Sequence, residues 1–204
     1  MSDAPSSRPR KVCFVTIGAT ASFSALIRAT LSSSFCHALE QNHYTDLIVQ
    51  YGADGDSLFQ SLVHDLDADK QHAAVNVSGF GLDTSGLGQY MKLAKTGGDD
   101  SGVEGLVVSH AGSGTILHAL RVDVPLVVAP NSELLDNHQV ELADALADQE
   151  YVVHGKLEDL PQALLDAEKL RLRRKAWPPI NSGTHRQTKG LAAVVDEEMG
   201  FLVD

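Results

Sequence analysis

The feature that most restricts this chain is an alternation of short, β-branched apolar runs with helical spacing, in which the runs stop at glycine or another small residue. Lys11 to Ile17 halts at Gly18-Ala19-Thr20, and the spacing from Phe23 to Leu39 then predicts a helix. Further runs are Leu47 to Tyr51 before Gly52, Ala73 to Val77 before Gly79, and Leu106 to Ser109 before His110-Ala111-Gly112-Ser113-Gly114. A fifth, Pro125 to Ala129, leads through Pro130-Asn131 to a helix from Asp136 to about Gln149, and Tyr151 to Val153 offers a sixth. Continuously apolar strands alternating with helices predict an α/β, Rossmann-like, largely parallel sheet with helices on both faces. In such folds ligands sit at the carboxyl ends of the strands, where these glycine turns fall.

With 204 residues the chain has room for one well-buried α/β domain, since two nucleotide-binding domains need about 250 or more. The expected organisation is a disordered segment over 1–10, the domain over 11–180, and a helical tail over 181–204. The polar stretch between Lys95 and Gly105 reads as a mobile surface insertion. A formal charge of −11 argues against nucleic acid and against adsorption to an anionic membrane surface. Two cysteines, Cys13 and Cys36, give no disulfide framework and fit a reducing compartment. The polar start of the chain and the lack of a run of about 20 apolar residues lead to the expectation of a cytoplasmic protein that another protein must hold if it works at a membrane.

Two loops concentrate polar chemistry. In the first, Gly112 and Gly114 remove Cβ atoms so that backbone can approach a ligand, and a helix beginning near Ser113 aims its free N–H groups at the loop. Such a helix start stabilises a diphosphate without lysine, with the Ser113 and Thr115 hydroxyls as further donors. His110 stands where it could donate to a bound oxygen, and equally where a histidine could be a satisfied neighbour of the turn. In the second loop, Asp136 and Gln139 have capping-box spacing, which leaves Asn131, Asn137 and His138 without a structural task. Amides read hydroxyl and acetamido groups well, which makes a sugar the natural ligand.

These residues resemble a known family, the donor-binding catalytic subunit of the two-subunit N-acetylglucosaminyltransferase that adds the second sugar to dolichyl-diphosphate-linked N-acetylglucosamine. The resemblance covers Val12 to about Val153. It is carried by Phe14-Val15-Thr16-x-Gly18-Ala19-Thr20, Leu47-Ile48-x-Gln50-x-Gly52, Gly79-Phe80, Ser109-His110-Ala111-Gly112, Pro125-Leu126-x-Val128 and Asp136-Asn137-His138-Gln139. It implies the fold of the C-terminal half of a GT-B-type glycosyltransferase, with UDP-GlcNAc as substrate and no cofactor. It also implies a membrane-anchored, acceptor-binding partner at the cytosolic face of the endoplasmic reticulum. Carried over, Gly18, Ala19 and Thr20 with His110, Ala111, Gly112, Ser113, Gly114 and Thr115 would surround the diphosphate. Asn131, Asp136, Asn137, His138 and Gln139 would face ribose and GlcNAc, and Gly79 and Phe80 the uracil. His118 departs from the family pattern, which usually has an acidic residue there, and the match weakens after Trp177.

Inverting transfer needs in-line attack, a base for the acceptor hydroxyl and stabilisation of the departing diphosphate. His110 and His138 are this chain's candidates for the base, and the partner is another source. No metal site is expected, because Asp54-Gly55-Asp56 falls in a turn and Asp65 to Asp69 in a solvated acidic stretch after a helix. The rival reading is a non-catalytic nucleotide-sugar-binding module. A dehydrogenase is disfavoured by the missing Gly-x-Gly-x-x-Gly and by Gln50 where an acid would hold the ribose, and a serine hydrolase by the missing Gly-x-Ser-x-Gly elbow. The tail reads as a helix from Thr184 to Met199 with Leu191, Val194 and Val195 on one face. That face can pack on the domain itself or on a partner, and the resemblance implies the partner.

Overall fold

The computed structural model describes residues 8–69, 75–98, 102–131 and 138–176. The predicted Thr184 to Met199 helix lies outside them. Among the described residues six strands form one sheet: β1 (Lys11–Thr16), β2 (Asp46–Gln50), β3 (Asn76–Phe80), β4 (Val103–Ser109), β5 (Leu126–Val128) and β6 (Val153–His154). Their order is β3-β2-β1-β4-β5-β6, and every pairing is parallel. The order reverses between β1 and β4, which is the topological switch point of a doubly wound sheet.

Side chains alternate across the pleat, so each strand feeds two cores. Cys13, Val15, Leu47, Val49, Leu106, Val108 and Val127 point to one face, against α1 (Ser24–Thr30), α2 (Ser33–Gln41), α3 (Asp56–Asp69) and α7 (Leu160–Ala176). Val12, Phe14, Ile48, Val107, Leu126 and Val128 point to the other, under α4 (Gly88–Thr96), α5 (Ser113–Val122) and α6 (His138–Asp148). The expected parallel sheet with helices on both faces is therefore what these residues build.

Four local expectations are corrected. The helix read from Phe23 to Leu39 is two helices, because the Ser32 hydroxyl accepts from the Phe35 N–H at 3.3 Å and caps a new helix start, while the Thr30 hydroxyl bonds back to Leu26 O at 2.9 Å. The third strand, read as Ala73 to Val77 ahead of Gly79, instead runs Asn76–Phe80, since Asn76 to Phe80 continue the parallel register of Asp46 to Gln50. β4 begins at Val103, so the polar insertion is shorter than read: Lys95 lies in the last turn of α4 and pairs with Glu104 at 2.6 Å on β4. Asp65 to Asp69 lie inside α3 rather than after it. Cys13 and Cys36 are both buried free thiols; burial pushes Cys36 up to about 11 and Cys13 higher still.

The amino-terminal edge of the sheet is held by charge. Lys11 Nζ, on β1, donates to Glu168 of α7 at 2.8 Å and to Asn42 O at 3.1 Å, and the Tyr44 hydroxyl donates to the same Glu168 oxygen at 2.8 Å. Arg10 forks onto Asp46 at 2.9 and 3.1 Å. Burial alone would raise the Glu168 carboxyl, but the hydrogen bonds and charge of Lys11, followed by Tyr44 and Arg171, hold it below the usual range.

Candidate functional site

The carboxyl edge ends in one register row, Phe80, Gln50, Thr16, Ser109, Val128 and His154, read across the six strands. Its centre is polar yet buried: Gln50 is 2% exposed, and Thr16 and Ser109 are 0% exposed. Above Thr16 and Ser109 rise the β1–α1 turn, containing Gly18, Ala19 and Thr20, and the β4–α5 loop, His110 to Gly112. The two turns that the resemblance assigns to the diphosphate thus meet at the switch point.

His110 is the joint between them. Its backbone N–H donates to Thr16 O at 3.1 Å, extending the β1–β4 ladder by one bond. Its ring lies between Gly18 and Gly112. A Cβ at Gly18 would stand 2.5 Å from Cε1 and 2.6 Å from Nε2, and a Cβ at Gly112 would also collide with the ring. The sequence reading assigned the Cβ-free space at Gly112 to a ligand; much of it is filled by the imidazole. Gly18 also has φ +83°, a conformation that glycine adopts without strain. Burial lowers the His110 pKa, opposed by the backbone of Thr16, so the ring is neutral at pH 7. Its Nδ1 is buried and has no hydrogen-bond partner.

The start of α5 is a second unsatisfied feature. Gly112 is the N-cap residue and supplies no side-chain cap, and the first ladder bond is Ile116 N–H to Gly112 O at 3.0 Å. The N–H groups of Ser113, Gly114 and Thr115 precede it, facing the carboxyl edge with the positive end of the helix dipole. A Cβ at Gly114 would meet nothing within 4 Å, so of this loop's two glycines it is the one with open space beside it. Ala111 is buried, while Ser113 and Thr115 are half-buried and Ala19 and Thr20 exposed.

The remaining candidates divide. Asn131, at the end of β5, is 5% exposed, and its N–H donates to the Gln139 side-chain oxygen at 3.2 Å, so Gln139 closes this loop from the first turn of α6. His138 is exposed, with Nδ1 3.5 Å from Glu141. Asp136 and Asn137 lie outside the described residues. Gly79 is a packing glycine within β3, where a Cβ would strike the Phe59 ring and Val49 O. Phe80 stacks on Tyr90 with ring centroids 4.2 Å apart, and both rings stack against Phe14.

Sequence reasoning did not place Gln50 and Thr16 in the site. The Thr16 hydroxyl donates to Gln50 Oε1 at 2.7 Å, Ile17 N–H donates to the same oxygen at 3.1 Å, and Gln50 Nε2 donates to Gly18 O at 2.9 Å. The available signal was a polar residue ending each of two otherwise apolar strands. Among the described residues no group of three or more His, Cys, Asp or Glu side chains is placed to hold a metal, and no helix is long and apolar enough to cross a membrane.

A doubly wound parallel sheet with a half-buried histidine and a helix start that lacks a side-chain cap at its switch point is an α/β architecture able to take an anion there. Residues 12–190 match the glycosyltransferase family 28 C-terminal domain. The chain is 36% identical over 154 residues to the "UDP-N-acetylglucosamine transferase subunit ALG13" of Saccharomyces cerevisiae, covering 70% of this chain and 76% of that protein. It is 33% identical over 200 residues to the subunit of the same name from Cryptococcus neoformans, covering 92% and 96%. Among solved structures, it is similar to an NMR solution structure of ALG13, 28% identical with a TM-score of 0.58 over 88% of this chain and 94% of that one. The crystal structure of Acinetobacter baumannii MurG shares the fold, with a TM-score of 0.54 and 18% identity over 86% of this chain and 43% of that one. The chain belongs to glycosyltransferase family 28 and, within it, to the family of the UDP-N-acetylglucosamine transferase subunit ALG13.

Proposed function

We propose that this chain is the donor-binding, catalytic subunit of an inverting glycosyltransferase that moves GlcNAc from UDP-GlcNAc to GlcNAc-diphosphodolichol. This is the second step of lipid-linked oligosaccharide assembly. The chain works in complex with a membrane-anchored subunit that binds the acceptor and recruits it from the cytoplasm to the cytosolic face of the endoplasmic reticulum. The observation that carries this reading is the pairing of His110 with the uncapped start of α5 at the switch point, in a chain whose relatives are named as UDP-GlcNAc transferase subunits.

In the reaction an acceptor hydroxyl attacks the anomeric carbon of GlcNAc as the bond from that carbon to the diphosphate oxygen breaks. The hydroxyl proton passes to a base, and UDP leaves with the bonding pair. Free N–H groups at Ser113, Gly114 and Thr115 stabilise the charge growing on the diphosphate. Neutral His110 adds a hydrogen bond, while Asn131, Asp136, Asn137, His138 and Gln139 face ribose and sugar, and Gly79 with Phe80 lies toward the uracil. His110 and His138 are the chain's candidate bases, with the partner as a further source. No cofactor enters the reaction, because UDP-GlcNAc is itself the activated substrate.

The test is transfer of radiolabelled GlcNAc to a lipid-linked GlcNAc acceptor by the chain alone, by the chain with membranes carrying its partner, and by His110→Ala with those membranes. The expected result is no sustained turnover alone, robust turnover with the partner, and a loss of about 30- to 1000-fold in the variant, corresponding to about 2–4 kcal/mol at the transition state. Binding of UDP-GlcNAc without turnover under every arrangement would instead identify a non-catalytic module.

A further inference from the structure

Gln50 makes three hydrogen bonds that involve no substrate and that all hold the β1–α1 turn. Its Oε1 accepts from the Thr16 hydroxyl and from Ile17 N–H, and its Nε2 donates to Gly18 O. The Thr16 hydroxyl also accepts from Gly18 N–H at 3.3 Å. The primary amide supplies the acceptor and the donor that this arrangement needs from one planar group. Thr16 and Gln50 are register partners on adjacent strands, so the brace is anchored in the ladder rather than in a loop. The braced residue, Gly18, is one of the two glycines at which a Cβ would run into the His110 imidazole. On the other side, Thr16 O receives the His110 backbone N–H.

We infer that Gln50 and Thr16 are positioning residues of the transferase site, fixing the Gly18 turn against the His110 ring so that the imidazole keeps one orientation toward the donor diphosphate. This inference rests on the function proposed above and deepens it. Polar groups this deeply buried are stabilising only when satisfied, and the amide's partners lie in this one turn. Losing the brace frees the turn to move by a few tenths of an ångström or more, and the ring moves with it. Small misplacements of a group that acts on the transition state lower the rate without a matching loss of ground-state affinity.

The experiment compares Gln50→Leu, Thr16→Val and Thr16→Ser with the parent chain and with His110→Ala, each assembled with membranes carrying its partner. Melting temperature and the His110 imidazole resonances of the free chain are measured in parallel. Gln50→Leu and Thr16→Val are expected to lower kcat about 10- to 100-fold with KM for UDP-GlcNAc changed less than about threefold, and to shift the His110 resonances. Thr16→Ser, which keeps the hydroxyl, is expected to restore both. An unchanged kcat in folded Gln50→Leu while His110→Ala is inactive overturns the inference and leaves the proposed function standing. A Thr16→Ser chain as impaired as Thr16→Val also overturns it. If His110→Ala itself keeps a normal rate, the site reading falls, and the resonances decide about the brace: unmoved in Gln50→Leu, they overturn it; moved, they support it.

Discussion

The two edges of the sheet use polar residues in opposite ways. At the amino-terminal edge Lys11, Tyr44, Glu168, Arg10 and Asp46 close on one another through bonds of 2.8–3.1 Å. At the carboxyl edge Gln50 and Thr16 are also satisfied, but they hold a turn beneath a histidine whose Nδ1 is unpartnered and beside a helix start that lacks a side-chain cap. Charges that neutralise and hydrogen-bond one another fix one arrangement of chain. Buried polarity left open costs stability and retains the capacity to bind. The same parallel sheet therefore carries an edge that secures α7 and an edge whose polar groups stay open.

The largest effect expected from breaking this contrast is at the amino-terminal edge. Glu168→Ala leaves the Lys11 ammonium, whose side chain is 7% exposed, with Asn42 O but without its counter-charge, and removes the acceptor of Tyr44. It should lower unfolding free energy by about 3–5 kcal/mol. Affinity of the remaining folded protein for UDP-GlcNAc should stay near the parent value. Denaturant unfolding with a ligand titration checks both; a large loss of affinity in the folded fraction would show that the two edges are coupled.

A smaller loss of stability with a larger loss of function is expected at the open edge. Gly18→Ala places a side chain at φ +83° and drives its Cβ into the imidazole. The backbone strain is worth about 1–3 kcal/mol, and displacement of the ring should lower transfer well beyond what the melting temperature accounts for. Parallel rate and melting measurements separate the two.

The smallest effect is the pH profile of stability, which should show the edges losing strength in different windows. Burial depresses the His110 pKa in the folded state, so the unfolded chain binds more protons there, and the histidine's contribution is full above 6.5 and declines as pH falls below it. Glu168 and Asp46 are depressed carboxyls, so their contribution is full above 4.5 and 3.8 and is lost as pH falls from there toward their folded values. Unfolding free energy measured from pH 7 downward should bend first near 6.5 and again below about 4.5. His110→Gln should remove the first bend alone.

Much of this was legible along the chain. Short apolar runs ending at small residues fix parallel strands, because a strand covered on both faces must be apolar throughout. The glycine-flanked His110 and the helix start at Ser113 were readable for a similarly local reason: loop chemistry and helix capping act over a few residues. What local signals could not give was partnership over long separations. The glycines at 112 and 114 read as openings for a ligand; only the packed structure puts the His110 ring in the space at 112, between it and Gly18, since that depends on β1 and β4 lying side by side. Gln50 read as the wrong residue for a dinucleotide, and its work as a brace appears only once β2 is in register with β1. Lys11 and Glu168 are 157 positions apart, and nothing near either names the other. The sequence by itself thus determined the class of fold and the loops that carry polar chemistry, through periodicity and turn preference. The tertiary structure alone decided which polar groups are satisfied and which stay open, because that is settled by the strand order 3-2-1-4-5-6, which brings distant segments within hydrogen-bonding reach.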